Sequence, residues 1–156
     1  MRLNGLFDVL RGWPREGAID ETFPCHQTTP GTLDAVIPGM IVAMQTDDGS
    51  VAAATTPDRT AADAIPVWVV VEGSDDFSGV FTQKVVCLRS NAMLRLDPAN
   101  FEAGTYAYRT ALSFNAGKWK EAAIKEQIIG EVIKDDRLVD GTIVVMYTGG
   151  SGAKLT

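Results

Sequence analysis

Val36-Ile37-Pro38-Gly39-Met40-Ile41-Val42-Ala43-Met44 runs into Asp47-Asp48-Gly49 and returns through Val51-Ala52-Ala53-Ala54. The first stretch is apolar and β-branched, and such side chains fit a pleated, half-buried surface. Asp-Gly between two apolar runs is a hairpin signal, because the turn needs residues that tolerate positive φ. Outward from this hairpin the same pattern recurs. Pro66-Val67-Trp68-Val69-Val70-Val71-Glu72 is almost continuously apolar, as in a strand buried on both faces. Val80 to Leu88 and Met93 to Leu96 read as further strands. Lys118-Trp119-Lys120 alternates with period two after the Asn115-Ala116-Gly117 turn, which puts Trp119 inward. Gln127 to Lys134 and Thr142 to Tyr147 lie on either side of a second Asp-Gly, at Asp140-Gly141. Helical turns are expected only at Asn4–Leu10 and Ala122–Glu126. The pattern predicts an all-β fold: a small antiparallel barrel or sandwich of about eight to ten short strands.

The chain divides into three stretches. Residues 1–32 hold Pro14, Pro24 and Pro30 among four glycines, and cannot form a core of their own. They nevertheless carry Phe7, Trp13 and Phe23, which a solvated linker does not need. This stretch is expected to be an extended N-terminal arm lying on its own body or on a neighbour, with those three aromatics as partner-binding anchors. Residues 33–148 form the β-body. Residues 149–156 are a flexible Gly-rich tail. Inside the body a weak internal repeat is visible. Leu33-Asp34, Pro38-Gly39 and Asp48-Gly49 find counterparts in Leu96-Asp97, Ala103-Gly104 and Ala116-Gly117, at offsets of 63, 65 and 68 residues. A true duplication would give two similar β-units.

Composition narrows the function. A net charge of −6 and a pI near 4.7 argue against nucleic acid as a partner. No apolar run approaches the roughly 20 residues that span a bilayer, and the N-terminus is too charged for a signal peptide. Two cysteines and one histidine cannot make a four-ligand zinc site without carboxylates. Cys87, in Val85-Val86-Cys87-Leu88, reads as core, while Cys25 and the lone His26 read as an exposed loop between Pro24 and Pro30. Neighbours in an extended chain point to opposite sides, so this pair is a poor nucleophile and base. Whether Cys25 and Cys87 pair is left open. Asp47-Asp48, Asp75-Asp76 and Asp135-Asp136 sit at turns, where Asp is favoured for its own sake. No phosphate-binding, hydrolase or metalloprotease motif is present, and no enzyme activity, metal or cofactor is expected. Charge is uneven: residues 34–76 hold eight acids and one base, residues 77–137 seven acids and nine bases. Contact between copies, acidic against basic, is one consequence.

The order of features resembles the capsid decoration, or cement, proteins of tailed bacteriophages. The residues carrying the resemblance are Pro38-Gly39-Met40-Ile41-Val42, Asp48-Gly49-Ser50-Val51, Gly104-Thr105-Tyr106, Ala116-Gly117-Lys118-Trp119, Ile128-Ile129-Gly130-Glu131-Val132 and Gly141-Thr142-Ile143-Val144-Val145, spread over residues 33–148. The resemblance implies a structural virion protein, made in the host cytoplasm and bound to the capsid exterior. It also implies the major capsid protein shell as partner and a homo-oligomer, trimer or dimer. Two other classes fit the same sequence. One is another virion component, such as a tail-tube, baseplate or adaptor protein. The other is a β-barrel carbohydrate- or ligand-binding module using Trp13, Trp68 and Trp119, although Trp68 reads as core.

Overall fold

In a computed structural model, residues 2–3, 7–11, 20–55, 65–73, 84–88, 91–149 and 155–156 are described. Twelve strands run through them: β1 (Arg2–Leu3), β2 (Phe7–Arg11), β3 (Asp20–Pro24), β4 (Ile41–Met44), β5 (Val51–Ala53), β6 (Val67–Glu72), β7 (Lys84–Leu88), β8 (Ala92–Leu96), β9 (Ala111–Asn115), β10 (Lys118–Glu121), β11 (Gly130–Asp136) and β12 (Thr142–Tyr147). One 3-10 turn, Pro98–Asn100, follows β8. The strands form two antiparallel sheets, a seven-stranded one ordered β1-β2-β8-β12-β11-β9-β10 and a five-stranded one ordered β3-β7-β6-β4-β5. The all-β class and the sandwich of short strands are thus the observed architecture.

The five-stranded order recurs inside the larger sheet as β8-β12-β11-β9-β10, each strand five places later in the chain. The likeness extends to register. Ile41 pairs with Val69 as Ala111 pairs with Glu131, Met44 with Val51 as Phe114 with Trp119, and Val70 with Cys87 as Val132 with Val145. The register slips after Val70 in one unit and after Val132 in the other. Each unit is then drawn toward closure by an isolated parallel bridge, Cys25 to Val51 and Phe101 to Trp119. The Gly39 N–H donates to Val70 O at 2.8 Å, and the Arg109 N–H donates to Val132 O at 2.8 Å. Gly39 and Arg109 both have positive φ, 86° and 67°. Residues 20–88 (unit one) and 92–149 (unit two) are two copies of one backbone plan. The turn match at offset 68 agrees with this register, since Val51 and Trp119 are equivalent. The offset of 65 does not: Pro38-Gly39 corresponds to Tyr108-Arg109, not to Ala103-Gly104. Connections of unequal length shift the offset from 70 at β4/β9 to 58 at β7/β12, which hides the repeat from a fixed-period reading.

Two cores result. The larger lies between the sheets and joins Ile41, Val67, Val69, Val71 and Leu88 of unit one to Leu94, Leu112, Phe114, Trp119, Val132, Val145 and Tyr147 of unit two. The smaller lies on the other face of unit one and holds Cys25, Val36, Val42, Val51, Val70, Val85 and Cys87. Alternate residues of β6 enter different cores, which explains why its sequence is apolar without alternation. Cys87 is buried as expected. Cys25 is not in an exposed loop: it is 4% exposed, because the bridge to Val51 turns its side chain into the second core.

A seam of hydrogen bonds joins the units. The Trp119 indole N–H donates to Gly39 O at 3.0 Å, Asn100 Nδ2 to Pro38 O at 2.9 Å and Tyr147 Oη to Val67 O at 2.9 Å. The β9–β10 turn enters unit one: the Gly117 N–H donates to Ala54 O and the Gly117 carbonyl oxygen accepts from the Ile41 N–H, each at 2.8 Å. A Cβ on Gly117 would lie 2.8 Å from Met40 Cγ, and the φ of 79° also favours glycine here.

Two local expectations are corrected. Asn4–Leu10 gives no helical turn in its described part; Phe7–Arg11 is a strand paired with β8, because a ready sheet edge outweighs a short stretch's weak propensity. Ala122–Glu126 is a turn, with Lys125 at φ 68° and Glu126 buried against Lys120 Nζ at 2.5 Å. In the Gly-rich tail, Leu155 exchanges backbone hydrogen bonds with Lys125 and Glu126.

Candidate functional site

The three aromatic anchors are placed differently. Phe7 lies in β2, opposite Leu96. Trp13 lies outside the described residues. Phe23 lies in β3 opposite Val85, half-buried, with its ring 4.8 Å from that of Trp68 and packed on the second core. Sheet hydrogen bonds therefore cross the sequence boundary drawn at residue 32, and Phe23 spends much of its apolar surface inside unit one. Trp119 is fully buried and Trp68 is half-buried in the second core, so neither indole is presented as a flat platform.

His26 faces away from Cys25, as alternation in an extended chain requires. Its Nδ1 lies 3.0 Å from Ser50 Oγ and 3.8 Å from Asp48 Oδ2, while Ser50 Oγ donates to Asp48 Oδ1 at 2.6 Å. Acyl transfer by such a trio needs serine and carboxylate on opposite ring nitrogens. Here both meet the same nitrogen, and Asp48 also accepts the Ser50 N–H at 2.9 Å. This is a capped turn.

The same device recurs at the other acidic turns that are described. Asp135 accepts the Arg137 N–H at 3.0 Å, and Asp140 accepts the Thr142 N–H at 3.0 Å. The Asp75-Asp76 pair lies outside the described residues. Each capping carboxyl is held below the usual range: Asp48 by the Ser50 hydroxyl and N–H, Asp135 by the Arg137 side chain, and Asp140 by the Thr142 hydroxyl and N–H. Asp34 is lowered by the Thr28 N–H and hydroxyl. For an acid whose folded pKa is depressed, the unfolded chain takes up the proton first. The stabilisation is present above the unfolded value of about 3.9 and is lost as pH falls through the folded values. The melting temperature is expected to be level from about pH 7 to 5 and to drop below about pH 4. A flat calorimetric profile down to pH 3 would contradict this.

The β11–β12 hairpin tip is the site that sequence reading missed. Leu138 and Val139 are 103% and 83% exposed. Side-chain contacts brace the tip beneath them. Arg137 grips Asp135 at 2.8 Å and 2.7 Å, donates to Gly104 O at 2.9 Å and lies 5.0 Å over the Tyr106 ring. Arg95 Nη1 reaches Asp140 at 3.2 Å and Thr142 at 3.0 Å, and Lys134 reaches Asp136 at 2.8 Å. Tyr106 is buried, donates its hydroxyl to Glu102 O at 2.5 Å, and burial pushes its phenol up to about 12. Each tip carboxylate thus has a cation, leaving an aliphatic pair on a braced, charge-balanced mount. Tyr108 and Arg109, in the adjoining loop, are also exposed. The available signal was Leu-Val inside Asp135-Asp136-Arg137-Leu138-Val139-Asp140-Gly141, where turn chemistry asks for polar residues.

Among the described residues no cluster of three or more His, Cys, Asp or Glu is placed to hold a metal ion, and no helix is long and apolar enough to cross a membrane. No protein-family model matches the chain, and no curated protein and no solved structure matches it.

Proposed function

We propose that the chain is a structural virion protein that binds the assembled capsid shell of a tailed bacteriophage from outside and stiffens it, acting as a homo-oligomer on the major capsid protein. The observation that carries this reading is the duplicated β-unit. Two copies of one backbone plan, sewn together by buried side-chain and turn hydrogen bonds, make a stiff block whose connections are left to make contacts. The β11–β12 tip, with Leu138 and Val139 exposed on a braced mount, supports contact rather than chemistry. Ordering such a tip costs little at binding, because its conformation is already held. Repeated over a lattice, many modest contacts sum to a large stabilisation. Phe7 and Trp13 remain the proposed shell contacts of the N-terminal segment, with Phe23 given to unit one.

The test is sedimentation of the full chain with expanded, undecorated shells of the phage that encodes it. Saturable binding and a higher shell disruption temperature are expected. No binding, together with sixfold rings or tubes of the purified chain, would move the assignment to the tail.

A further inference from the structure

We infer that Arg109 and Glu131 keep unit two from docking in the way unit one does, so that the surface around Asn100 and Trp119 accepts unit one alone. The two units share the turn concerned, bond for bond. In unit one the Met40 N–H donates to Ile37 O at 3.1 Å and the Val70 N–H to Met40 O at 2.9 Å. In unit two the Thr110 N–H donates to Ala107 O and the Val132 N–H to Thr110 O, each at 3.0 Å. The surroundings differ. The Pro38-Gly39 turn is buried in the seam, its two carbonyls held by Asn100 and Trp119. A Cβ on Gly39 would lie 2.6 Å from Asn100 Nδ2, so a side chain there would push the buried amide off Pro38 O. Tyr108-Arg109, the same turn in unit two, stands in solvent, with Tyr108 72% exposed. Arg109 has a Cβ in the place that Gly39 leaves empty, and it holds a φ of 67° that glycine adopts at less cost.

The strand face beside the turn is altered in the same sense. Ile41, Val69 and Leu88 of unit one are fully buried in the core shared with unit two. By strand register their counterparts are Ala111, Glu131 and Met146. Val69 thus gives way to a carboxylate, 3.7 Å from Arg109 Nε. A dry contact on the pattern of unit one's would strip water from both charges, and at that separation their mutual attraction does not offset the loss. Stacked repeats end on a polar outer face for the same reason. While chains fold, unit two of one copy is a rival of unit one for the Asn100–Trp119 surface of another, and such docking would link copies head to tail. Arg109 and Glu131 remove that rival. The inference concerns how the two units choose each other and does not rest on the capsid role.

The experiment is refolding of the full chain from denaturant over a concentration series, with the products sized by sedimentation velocity against never-denatured protein. Wild type is expected to regain its native species at every concentration. Arg109→Gly/Glu131→Val gives unit two a glycine turn beside an apolar strand, as in unit one. It should leave a fraction in larger species that rises about tenfold for a tenfold rise in concentration while that fraction is small. Arg109→Ala/Glu131→Val keeps the Cβ and should refold as wild type does. Larger species in neither variant, or equally in both, overturn the inference. If the glycine variant does not fold, a cycle at the seam decides. Gly39→Ala should lower the melting temperature less in an Asn100→Ala background than in wild type, because the colliding amide is gone. Equal losses in the two backgrounds would show that a side chain at this turn does not obstruct docking, and overturn the inference.

Discussion

Replacing Trp119 by alanine is expected to lower stability by about 3–5 kcal/mol, the range for deleting a large buried aromatic. The indole is fully buried, packs edge-on to Tyr147 with ring centres 6.0 Å apart, and donates its N–H across the seam to Gly39 O. Its removal opens a cavity in the larger core and also leaves a buried carbonyl without that donor. For a chain of this size the loss corresponds to a Tm lower by roughly 6–20 °C. Trp119→Phe separates the two contributions. It keeps most of the ring and removes the N–H, so its cost should fall near the about 1–3 kcal/mol of an orphaned buried polar group. Because Trp119 joins the units, denaturant unfolding should stay a single transition in the wild type and separate by probe in Trp119→Ala. Equal melting temperatures for wild type and Trp119→Ala would refute the proposed seam.

Gly130→Ala is expected to cost about 3 kcal/mol or more, at the upper end of overpacking. A Cβ built there would lie 2.3 Å from Met146 O and 3.3 Å from Trp119 Cζ3. The first neighbour is backbone of the paired strand and cannot turn aside, so β11 and β12 must separate at Gly130. The equivalent position in unit one is Trp68, paired with Val42 as Gly130 is paired with Leu112. Conversely, Val51 stands where unit two has Trp119. Each unit carries one indole in this region, on a different strand, and in unit two Gly130 leaves room for it. Thermal unfolding of Gly130→Ala measures the effect, and a loss under about 1 kcal/mol would show that the strands can give way.

Much of the fold was legible because its signals are local. Asp48-Gly49 and Ala116-Gly117 mark hairpins through the φ those residues tolerate, with Gly49 at 71° and Gly117 at 79°. The Lys118-Trp119-Lys120 alternation marks a face, and the unbroken β6 sequence marks burial on both sides. The Asp caps were legible for the same reason, since Asp48, Asp135 and Asp140 each bond a residue two positions on. Phe7–Arg11 was not legible. Its five residues allow a helical turn or a strand, and the β8 edge, far along the chain, selects the strand. Cys25 was misread for the same reason, since what buries it is Val51, 26 residues away.

The candidate site divides in the same way. By itself the sequence determined an all-β chain, acidic in its first half, with aspartate-capped turns and no familiar catalytic motif. Those properties follow from residue chemistry and near-neighbour spacing. Tertiary structure alone decided that the chain is one plan used twice, since the equivalences reside in strand order, register and bulge rather than in residue identity. It alone decided that Phe23 packs inside unit one while Leu138 and Val139 stand out in solvent. Exposure depends on what the rest of the chain brings alongside, and an apolar pair in a turn looks the same in sequence whether the fold covers it or leaves it for a partner.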